Sequence, residues 1–512
     1  MIVSYSETII KKSQYFIVTI MNTSCSLKEF CYVGGFELPL QFIICESPIQ
    51  EKDNFICFQL SSLHIAIHYK LKRFYVFGPD GIEIGLFLGL PIDIKNETLI
   101  ESNLHLIDNI ESENVPLFLE KYGGSYIFIY SSKNEKKIFL DANGSMSLVY
   151  DPVEKKAGST AAILLSNENY KEKFRRELFD KLDVSNIGWF PSGITAHKGI
   201  DRLLCNHYLD MNTWESVRFW PKEPIEYSDI PGDEISSISK ETTSIISALC
   251  QKNNVKQSLT AGYETRFLLS CSKSLLERIS FFTVLSTKID VEVARKLGQS
   301  FKLNIEEIPV LKASISQQQE WLYRTGHTVG GTNLITHPSI QRFKSDTILS
   351  IGLGGEVGRG FFWKKNDDIH DSVTAKLLIG RFGLPIDELI VSRTEKWLAN
   401  LPYGLDFFTI LDLAYQELRM SAWAFAQSYA QDAICPHISP MITYNNYKSM
   451  FRIHPNQKRN NYILHRAVLD NWPELLKYPI NRYGGFKDIF AFINKLSNPN
   501  RVLAKVRKLL AR

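Results

Sequence analysis

Two hydrophobic patterns divide the chain at about residue 220. Before that point, short apolar runs rich in β-branched and aromatic residues are separated by Gly, Asn and Asp turns, which predicts a strand-dominated unit. The clearest element is a hairpin in which the polar residues 131–135 join two apolar runs. The strands predicted in this half are Tyr15–Met21, Phe36–Cys45, Phe55–Leu60, Phe74–Phe77, Tyr126–Tyr130, Lys137–Asp141 and Leu148–Tyr150.

Helical and strand patterns alternate after residue 233, which predicts a parallel sheet with helices on both faces. Ligands of such sheets bind at the carboxyl ends of the strands. Pro221, Pro224, Pro231 and Gly232 mark a linker over residues 221–233, and the chain is mostly helical beyond about residue 365. The predicted elements are the helices 234–250, 264–275 and 290–303 and the strands Val255–Thr260, Ile279–Leu285 and Ile305–Val310.

Length and composition limit the class of protein. A chain of 512 residues exceeds what one hydrophobic core usually serves, so we expect two domains, at residues 1–220 and 234–512. The formal net charge of +4 is too small to indicate a nucleic-acid partner. The apolar runs are far shorter than a membrane span, so we expect no membrane span and a cytoplasmic protein. The 8 cysteines form no CxxC pair, which indicates neither a structural zinc site nor a disulfide framework.

The stretch from Ser258 to Leu269 carries the strongest chemical signal. Leu259 supplies the apolar end of a strand, Gly262 permits a tight turn, and Thr265 stands at the start of a helix. Free N–H groups at a helix start bind anions, so this turn is a candidate phosphate site. The alternative is an ordinary strand-to-helix turn of an α/β fold.

A second candidate loop spans residues 351–360 and follows the apolar strand Thr347–Ser350. Five of its ten residues are glycine. That much backbone freedom after a strand favours close approach to a ligand. A plain glycine-rich turn is the alternative here.

The first loop resembles the pyrophosphate-binding motif Ser-Gly-Gly-x-Asp-Ser of the asparagine synthetase family. Thr260 and Thr265 keep the hydroxyl groups of the motif, Ala261 keeps a small side chain, and Glu264 keeps the negative charge one methylene further out. Four of the six motif positions are changed, and each change at these positions conserves the chemistry.

The second loop resembles the family's Ser-Gly-Glu-Gly-x-Asp-Glu segment. Gly352 and Gly354 match, Glu356 takes the Asp position, and Leu353 and Val357 replace the two Glu residues. The N-terminal half is similar to the family's glutaminase domain in the order of its parts: a glycine pair at 123–124, the hairpin, an Asp-x-x-Gly turn at 141–144 and a Leu/Val-Tyr strand.

The resemblance spans roughly residues 80–490. It implies an α+β N-terminal-nucleophile-like sandwich domain followed by an α/β ATP-pyrophosphatase domain, Rossmann-like with a parallel sheet, and a helical C-terminal part. It also implies ATP-dependent amide-bond formation through an acyl-adenylate, with ATP and Mg²⁺ as cofactors and a small-molecule or peptide carboxylate as substrate. We expect a homodimer or a partner biosynthetic protein.

Site residues are carried over from the family position by position. The family places a lysine before a Gly-containing turn, which makes Arg482 the first and Lys477 the second choice for the catalytic cation. Glu356 is the third residue assigned a catalytic role. Glu264 and Glu356 would be weak Mg²⁺ ligands, and Lys458 is a further cation that could face phosphate. The residues assigned to ATP and pyrophosphate are Leu259, Thr260, Ala261, Gly262, Tyr263, Glu264, Thr265, Arg266, Thr283, Ile351, Gly352, Gly354, Gly355 and Arg359.

The N-terminus departs most from the family. A working glutaminase begins with a nucleophilic cysteine, whereas Met1 is followed by Ile2 and Cys31 lies thirty residues inside the chain. We therefore predict no glutamine hydrolysis, and ammonia or an amine of the substrate as the nitrogen donor. Two alternatives remain, an inactive binding or scaffold protein and an ATP-binding regulator. The basic amphipathic segment 500–512 predicts a helix that binds a membrane surface or docks on the domain.

Overall fold

The computed structural model describes residues 36–50, 53–186, 188–251, 254–341, 343, 346–431, 435–483 and 488. The predicted strand Tyr15–Met21, Cys31, the glycines at 484–485 and the segment 500–512 lie outside them. Within the described residues the fold is mixed α/β, with three sheets and a helical C-terminal region.

The strands occur in chain order as follows: β1 Phe42–Cys45, β2 Phe55–Leu60, β3 Leu63–His68, β4 Arg73–Phe77, β5 Glu83–Asp93, β6 Thr98–Leu99, β7 Leu104–His105, β8 Tyr122–Ser131, β9 Lys136–Leu140, β10 Val149–Asp151, β11 Lys156–Gly158, β12 Asp201–Arg202, β13 His207–Asp210, β14 Glu215–Arg218, β15 Asn254–Ser258, β16 Ile279–Val284, β17 Ile305–Ile308, β18 Thr347–Ser350 and β19 His437–Ile438.

The α-helices are α1 Val115–Leu119, α2 Ala161–Leu164, α3 Asn167–Glu172, α4 Arg176–Lys181, α5 Pro231–Cys250, α6 Tyr263–Cys271, α7 Lys288–Phe301, α8 Ile315–Arg324, α9 Thr332–Thr336, α10 Ala375–Phe382, α11 Glu388–Ala399, α12 Phe407–Leu413, α13 Ser428–Gln431, α14 Tyr444–Arg452, α15 Pro455–Lys458 and α16 Tyr462–Asn471. A π-helical run, Ala414–Phe425, continues α12.

Three sheets organise these elements. The first sheet has the strand order β12-β10-β11-β1-β3-β2 and is antiparallel. The middle sheet has the order β14-β13-β9-β8-β5-β4-β7, with β6 added to β5, and is antiparallel except where β7 joins β4. The third sheet is parallel throughout, in the order β17-β16-β15-β18-β19.

Every residue of β8 in the middle sheet is buried, because apolar layers cover both faces of that strand. Successive side chains of a strand point to opposite faces. Ile127 and Ile129 pack with Ile65 of the first sheet in one core. Tyr126 and Phe128 belong to a second core, which contains α5 and the parallel sheet. The middle sheet therefore joins the first sheet to the α/β part through two continuous cores.

Helix α5 lies against the middle sheet at a glycine. A Cβ atom on Gly123 would lie 2.3 Å from Cδ1 of Ile245, so a larger residue here would require the Ile245 side chain to move. The next residue, Gly124, has φ +95° and would place a Cβ 2.2 Å from the Leu90 carbonyl oxygen. The glycine pair seen in the sequence thus permits the close packing of α5 on β8 and the close pairing of β8 with β5.

Several boundaries differ from the sequence-based predictions. The predicted linker 221–233 ends inside α5, which begins at Pro231 because proline is favoured in the first turn of a helix. The predicted strand Phe36–Cys45 begins only at Phe42, after a turn in which Leu40 has φ +59°. The predicted helix 264–275 ends at Cys271 and is followed by a 3₁₀ turn.

The hairpin and the parallel strands are confirmed. Strand β8 ends at Ser131 and β9 begins at Lys136, as the polar run 131–135 predicted. Strands β15, β16, β17 and β18 lie where the alternating pattern placed them. Nine strands were not predicted: β3, β5, β6, β7, β11, β12, β13, β14 and β19. No helix of the described residues is long and apolar enough to cross a bilayer.

A buried ion pair connects β14 to the π-helical run. Arg218 donates two hydrogen bonds of 2.7 Å to the two carboxylate oxygens of Glu417. Trp397 Nε1 and Asn206 Nδ2 donate to the same carboxylate at 2.6 and 2.9 Å. Burial opposes ionisation of Glu417, but the Arg218 charge and the hydrogen bonds outweigh this effect, so the pKa of Glu417 is lowered. This carboxylate therefore holds the N-terminal half to the helical region.

We expect Glu417→Ala to lower the free energy of unfolding by about 3–5 kcal/mol, because it leaves the Arg218 guanidinium buried without its partner. Urea unfolding followed by tryptophan fluorescence measures this loss. The matched control is Glu307→Ala, which removes the surface pair with Arg295 and should leave the unfolding midpoint nearly unchanged. Equal losses in the two variants would contradict the role given to Glu417.

Candidate functional site

The turn between β15 and α6 is closed by side chains of the protein itself. Thr265 Oγ1 lies 2.9 Å from Thr260 Oγ1 and accepts the Thr260 N–H at 3.2 Å. The Thr260 hydroxyl accepts the Gly262 N–H at 3.2 Å, and Asp290 Oδ1 accepts the Ala261 N–H at 2.9 Å. Three amide groups of the turn are therefore already bonded.

Helix α6 begins without a side-chain cap. Its N-cap residue is Gly262, and no side chain there accepts a hydrogen bond from the first turn. The start of a helix carries unpaired N–H groups and the positive end of the helix dipole. Glu264 lies buried in this first turn, where its negative charge complements that dipole. The helix start is polarised for an anion but already has one carboxylate beside it.

The second glycine-rich loop lies directly against the start of α6. A Cβ atom on Gly352 would lie 3.0 Å from the backbone nitrogen and from Cγ2 of Thr265. A Cβ on Gly355 would lie 3.1 Å from Cγ of Glu264. Gly354 has φ +96°, a conformation that glycine adopts without strain. The two loops that the sequence singled out are therefore in contact at the carboxyl edge of the parallel sheet.

One arginine bridges the carboxylates of the two loops. Arg359 Nε lies 2.9 Å from Glu264 Oε1, and its terminal nitrogen lies 3.9 Å from Glu356 Oε1. Glu356 also accepts the Gly354 N–H at 3.0 Å through its other oxygen. The three side chains are largely buried, with exposed fractions of 15% for Arg359, 3% for Glu264 and 4% for Glu356. They form a compact cluster of charges that we call the Arg359 cluster.

Burial and the neighbouring charges shift the pKa values of Glu356 and Arg359 in the Arg359 cluster. Burial and the neighbouring Glu264 charge raise the pKa of Glu356 to about 7, although Arg359 opposes this. Burial lowers the pKa of Arg359, but the two carboxylates outweigh it and the pKa is raised overall. Arg359 therefore stays charged, while burial beside Glu264 holds the pKa of Glu356 near neutral pH.

A cavity of about 30 Å³ opens at the carboxyl ends of β15, β16 and β18. This volume is large enough for a water molecule but far too small for a nucleotide. The buried Thr283 hydroxyl, at the predicted adenine position, has no hydrogen-bond partner among the described residues. The lining residues are Ser258, Thr260, Thr265, Phe282, Thr283, Val284, Ser286, Asp290, Ile340, Leu349, Ile351 and His437.

Two cations assigned to phosphate have other partners. Arg266 is fully buried and donates to the carbonyl oxygens of Leu475, at 2.6 Å, Tyr478 and Pro479. Burial lowers its pKa to about 10. Lys458 lies 3.0 Å from Asp412 in another buried pair. These contacts hold the C-terminal region in place, and the assignment of Arg266 and Lys458 to phosphate stays a prediction.

Of the proposed catalytic cations, Lys477 lies within that C-terminal segment and Arg482 lies just after it. The backbone N–H of Asn481 donates to the Ala261 carbonyl at 2.8 Å, which brings the segment onto the first loop. Arg482 is exposed, and its charge reaches the Tyr263 hydroxyl. Lys477 is exposed at the end of the turn Pro473–Lys477. Of the two, Arg482 is the one adjacent to the first loop.

The predicted site is thus assembled in part. The predicted residues that lie in or against the two loops and their cavity are Leu259, Thr260, Ala261, Gly262, Tyr263, Glu264, Thr265, Thr283, Ile351, Gly352, Gly354, Gly355, Glu356 and Arg359.

The Arg359 cluster does not fit a protein-held Mg²⁺ ion. Mg²⁺ binds one or two carboxylates in near-ideal octahedral geometry. Both Glu264 and Glu356 are oriented toward the Arg359 guanidinium, whose positive charge would repel a divalent cation placed between them. Among the described residues, no group of three or more His, Cys, Asp or Glu side chains is arranged to hold a metal ion. Arg359 fulfils the charge-neutralising role of a cation in this arrangement.

Asp290 is a site residue that the sequence-based assignment missed. It accepts the Ala261 N–H, lines the cavity and lies in the first turn of α7, where the N-cap Thr287 hydroxyl accepts its N–H at 3.3 Å. The run from Thr287 to Asp290 has the Thr-x-x-Asp spacing of a helix start, which was a usable signal. His437, on β19, lines the same cavity and carries no comparable local signal.

Neither a scan against protein-family models nor a search of curated proteins finds a match to this chain. The resemblance to the asparagine synthetase family therefore rests on the two loop motifs and the order of the elements around them.

The raised pKa of Glu356 predicts a pH dependence of stability. In the folded protein its pKa is about 7, above its ordinary value of 4.5, so the folded state binds this proton more tightly than the unfolded state does. The stability that this adds is complete below about pH 4.5 and is lost as pH rises through about 7. Glu356→Gln removes this loss. We expect the melting temperature of the variant, relative to wild type, to rise between about pH 5 and about pH 8.

Thermal unfolding at a series of pH values tests this expectation. The control is Glu474→Gln, a substitution at an exposed position, which should follow wild type across the series. A constant difference between Glu356→Gln and wild type would show that the carboxyl does not titrate in this range.

Proposed function

We propose that this chain is an asparagine synthetase-like protein that uses ATP to form an amide bond. In this proposal the first half is an N-terminal-nucleophile-type sandwich without glutaminase activity, and the parallel sheet belongs to an ATP-pyrophosphatase domain. A carboxylate of a small molecule or peptide is activated as an acyl-adenylate. Ammonia or an amine of the substrate then supplies the nitrogen.

The contact between the two loops is the observation that carries the proposal. Residues 259–265 and 351–356 are separated by more than eighty residues in the sequence, yet Gly352 touches Thr265 at the start of α6. Both loops follow strands of one parallel sheet, at the edge where such sheets bind ligands. The uncapped start of α6 supplies N–H groups for pyrophosphate oxygens.

In the proposed reaction, the protein binds the leaving pyrophosphate and stabilises the charge that develops. The substrate carboxylate attacks the α-phosphorus of ATP, pyrophosphate leaves, and the amine then attacks the acyl carbon and releases AMP. The helix start would bind the leaving pyrophosphate, and the Arg482 guanidinium would stabilise the negative charge that develops. Thr260 and Thr265 would hold the turn that presents the N–H groups. No step requires an ion held by the Arg359 cluster.

A second candidate function is a binding or scaffold protein that does not use ATP. Three amide groups of the first turn are bonded to the protein's own side chains, and the cavity of about 30 Å³ excludes a nucleotide unless the second loop moves. The Arg359 cluster joins the two loops and opposes that movement. These contacts favour a protein that has the two-loop arrangement of an ATP site but does not bind ATP.

Calorimetric titration with Mg·ATP separates the two candidates. We expect wild type to bind, and Gly352→Ala to weaken binding by about tenfold, or about 1.4 kcal/mol, because the added methyl group lies against the start of α6. The matched control is Gly380→Ala, where a Cβ meets nothing within 4 Å. Pyrophosphate exchange with candidate carboxylates then tests adenylation.

The outcomes are distinct. Absence of Mg·ATP binding to folded wild type would reject the synthetase proposal and support the scaffold. Binding without pyrophosphate exchange for any carboxylate tested would support an ATP-binding regulator.

A further inference from the structure

The Glu264 carboxylate lies at the place where the two loops would bind an anion. Glu264 belongs to the first turn of α6, and the N-cap residue Gly262 gives this helix start no side-chain cap. Free N–H groups and the positive end of the helix dipole attract anions there. The Glu264 side chain is 3% exposed and lies against the second loop, since a Cβ atom on Gly355 would be 3.1 Å from its Cγ atom. The protein therefore places its own carboxylate beside the helix start and against the second loop.

Arg359 is the cation that holds this carboxylate. Its Nε atom lies 2.9 Å from Glu264 Oε1, whereas its terminal nitrogen lies 3.9 Å from Glu356 Oε1. Glu356 also accepts the Gly354 N–H at 3.0 Å, so it has a partner besides the arginine. A guanidinium group binds carboxylate and phosphate oxygens in the same way. Glu264 therefore makes the contact with Arg359 that a phosphate oxygen of a ligand would make.

A second arginine adds positive charge next to the Arg359 cluster. Arg419 is 7% exposed, and no carboxylate of the described residues forms an ion pair with it. Its guanidinium packs on the Phe361 ring at 4.8 Å, and the Arg359 guanidinium packs on the same ring at 5.4 Å. Burial lowers the pKa of Arg419, and the Arg359 charge lowers it further although Glu356 opposes this. Two guanidinium groups and a helix start therefore lie beside the second loop, a combination that suits an anion with more than one charge.

We propose that the Glu264–Arg359 pair is an autoinhibitory latch, in which the Glu264 carboxylate takes the place of a pyrophosphate oxygen on Arg359 and holds the two loops together. The inference rests on the proposed function, because it concerns the anion site of the same two loops. A pyrophosphate ligand would have to displace Glu264 from Arg359 in order to bind. Glu264 therefore weakens binding of the anion, which is opposite to the effect expected of a Mg²⁺ ligand.

The exchange keeps Arg359 paired throughout. The guanidinium would exchange one anionic partner for another, so it is not left buried without a counter-charge. The released Glu264 carboxylate would repel the incoming pyrophosphate for as long as it stays close, because like charges oppose each other strongly away from water. Replacing Glu264 with glutamine keeps the size of the side chain and removes both the competing contact and the repulsion.

Calorimetric titration of the full chain with inorganic pyrophosphate, in EDTA and without nucleotide, tests the latch. We expect Glu264→Gln to bind pyrophosphate about tenfold more tightly than wild type, because Arg359 is freed for the ligand. Since EDTA removes Mg²⁺, a role of Glu264 as a metal ligand does not contribute to the difference. Glu264→Asp, which withdraws the carboxylate by one methylene, should give a smaller gain in the same direction.

Two further variants separate the latch from a general loosening of the fold. Arg359→Gln also breaks the pair but removes the cation, so it should bind pyrophosphate no more tightly than wild type. In that background Glu264→Gln should bring no gain, because the two substitutions act on one contact. The matched control is Asp201→Asn, which converts the carboxylate of the Arg393 pair to an amide outside the two loops and should leave pyrophosphate binding unchanged.

Thermal unfolding provides the folding control. Glu264→Gln loses a buried ion pair, so its melting temperature in buffer alone should be below that of wild type. Pyrophosphate binds the folded state, so it should raise the melting temperature of Glu264→Gln more than that of wild type. The latch is overturned if neither Glu264 variant binds pyrophosphate more tightly than wild type, if the gain persists without Arg359, or if Asp201→Asn brings an equal gain.

Failure of the latch is distinguishable from failure of the synthetase proposal. Mg·ATP binding by wild type with no gain of pyrophosphate binding in Glu264→Gln overturns the latch and leaves the synthetase proposal standing. Tighter pyrophosphate binding by Glu264→Gln, together with no Mg·ATP binding by wild type, supports the latch and rejects the synthetase proposal.

Discussion

The burial of both faces of the middle sheet is the constraint on which the rest of the structure depends. Its strand β8 has aliphatic side chains, such as Ile127 and Ile129, on the face toward the first sheet, and aromatic side chains, such as Tyr126 and Phe128, on the face toward α5. Since removal of apolar area from water is the main favourable contribution to folding, neither half can separate without exposing one of these faces. The contact of α5 with Gly123 follows from this arrangement.

Buried charge organises the part of the molecule that carries the candidate chemistry. Glu264 and Glu356 come from two different loops, and the Arg359 guanidinium is the cation that allows both carboxylates to lie close together away from water. Removing charges from water is costly unless they are paired, so the three side chains are strongly coupled. A ligand bound between the two loops would have to rearrange these contacts, because they join one loop to the other.

Local patterns predicted the elements well and the site contacts poorly. The hairpin at 131–135 and the strands β15 to β18 were found because hydrophobic periodicity and turn residues act over a few positions. Strand β5 was missed because Gly85, Gly89 and Pro91 interrupt its apolar run, and glycine and proline are uncommon inside strands. Arg266 was assigned to phosphate, whereas its partners are carbonyl groups more than two hundred residues away.

By itself, the sequence determined the mixed α/β class, the position of the parallel strands, and two loops with hydroxyl, glycine and carboxylate groups at strand ends. These properties are local, since propensity, turn chemistry and periodicity depend on neighbouring residues. Only the tertiary structure decided that Arg359 joins the two loops, that Asp290 bonds the first loop, and that the cavity at the sheet edge is lined as it is. Those contacts depend on how the sheets and helices pack in space, which brings together residues whose separation along the chain carries no signal.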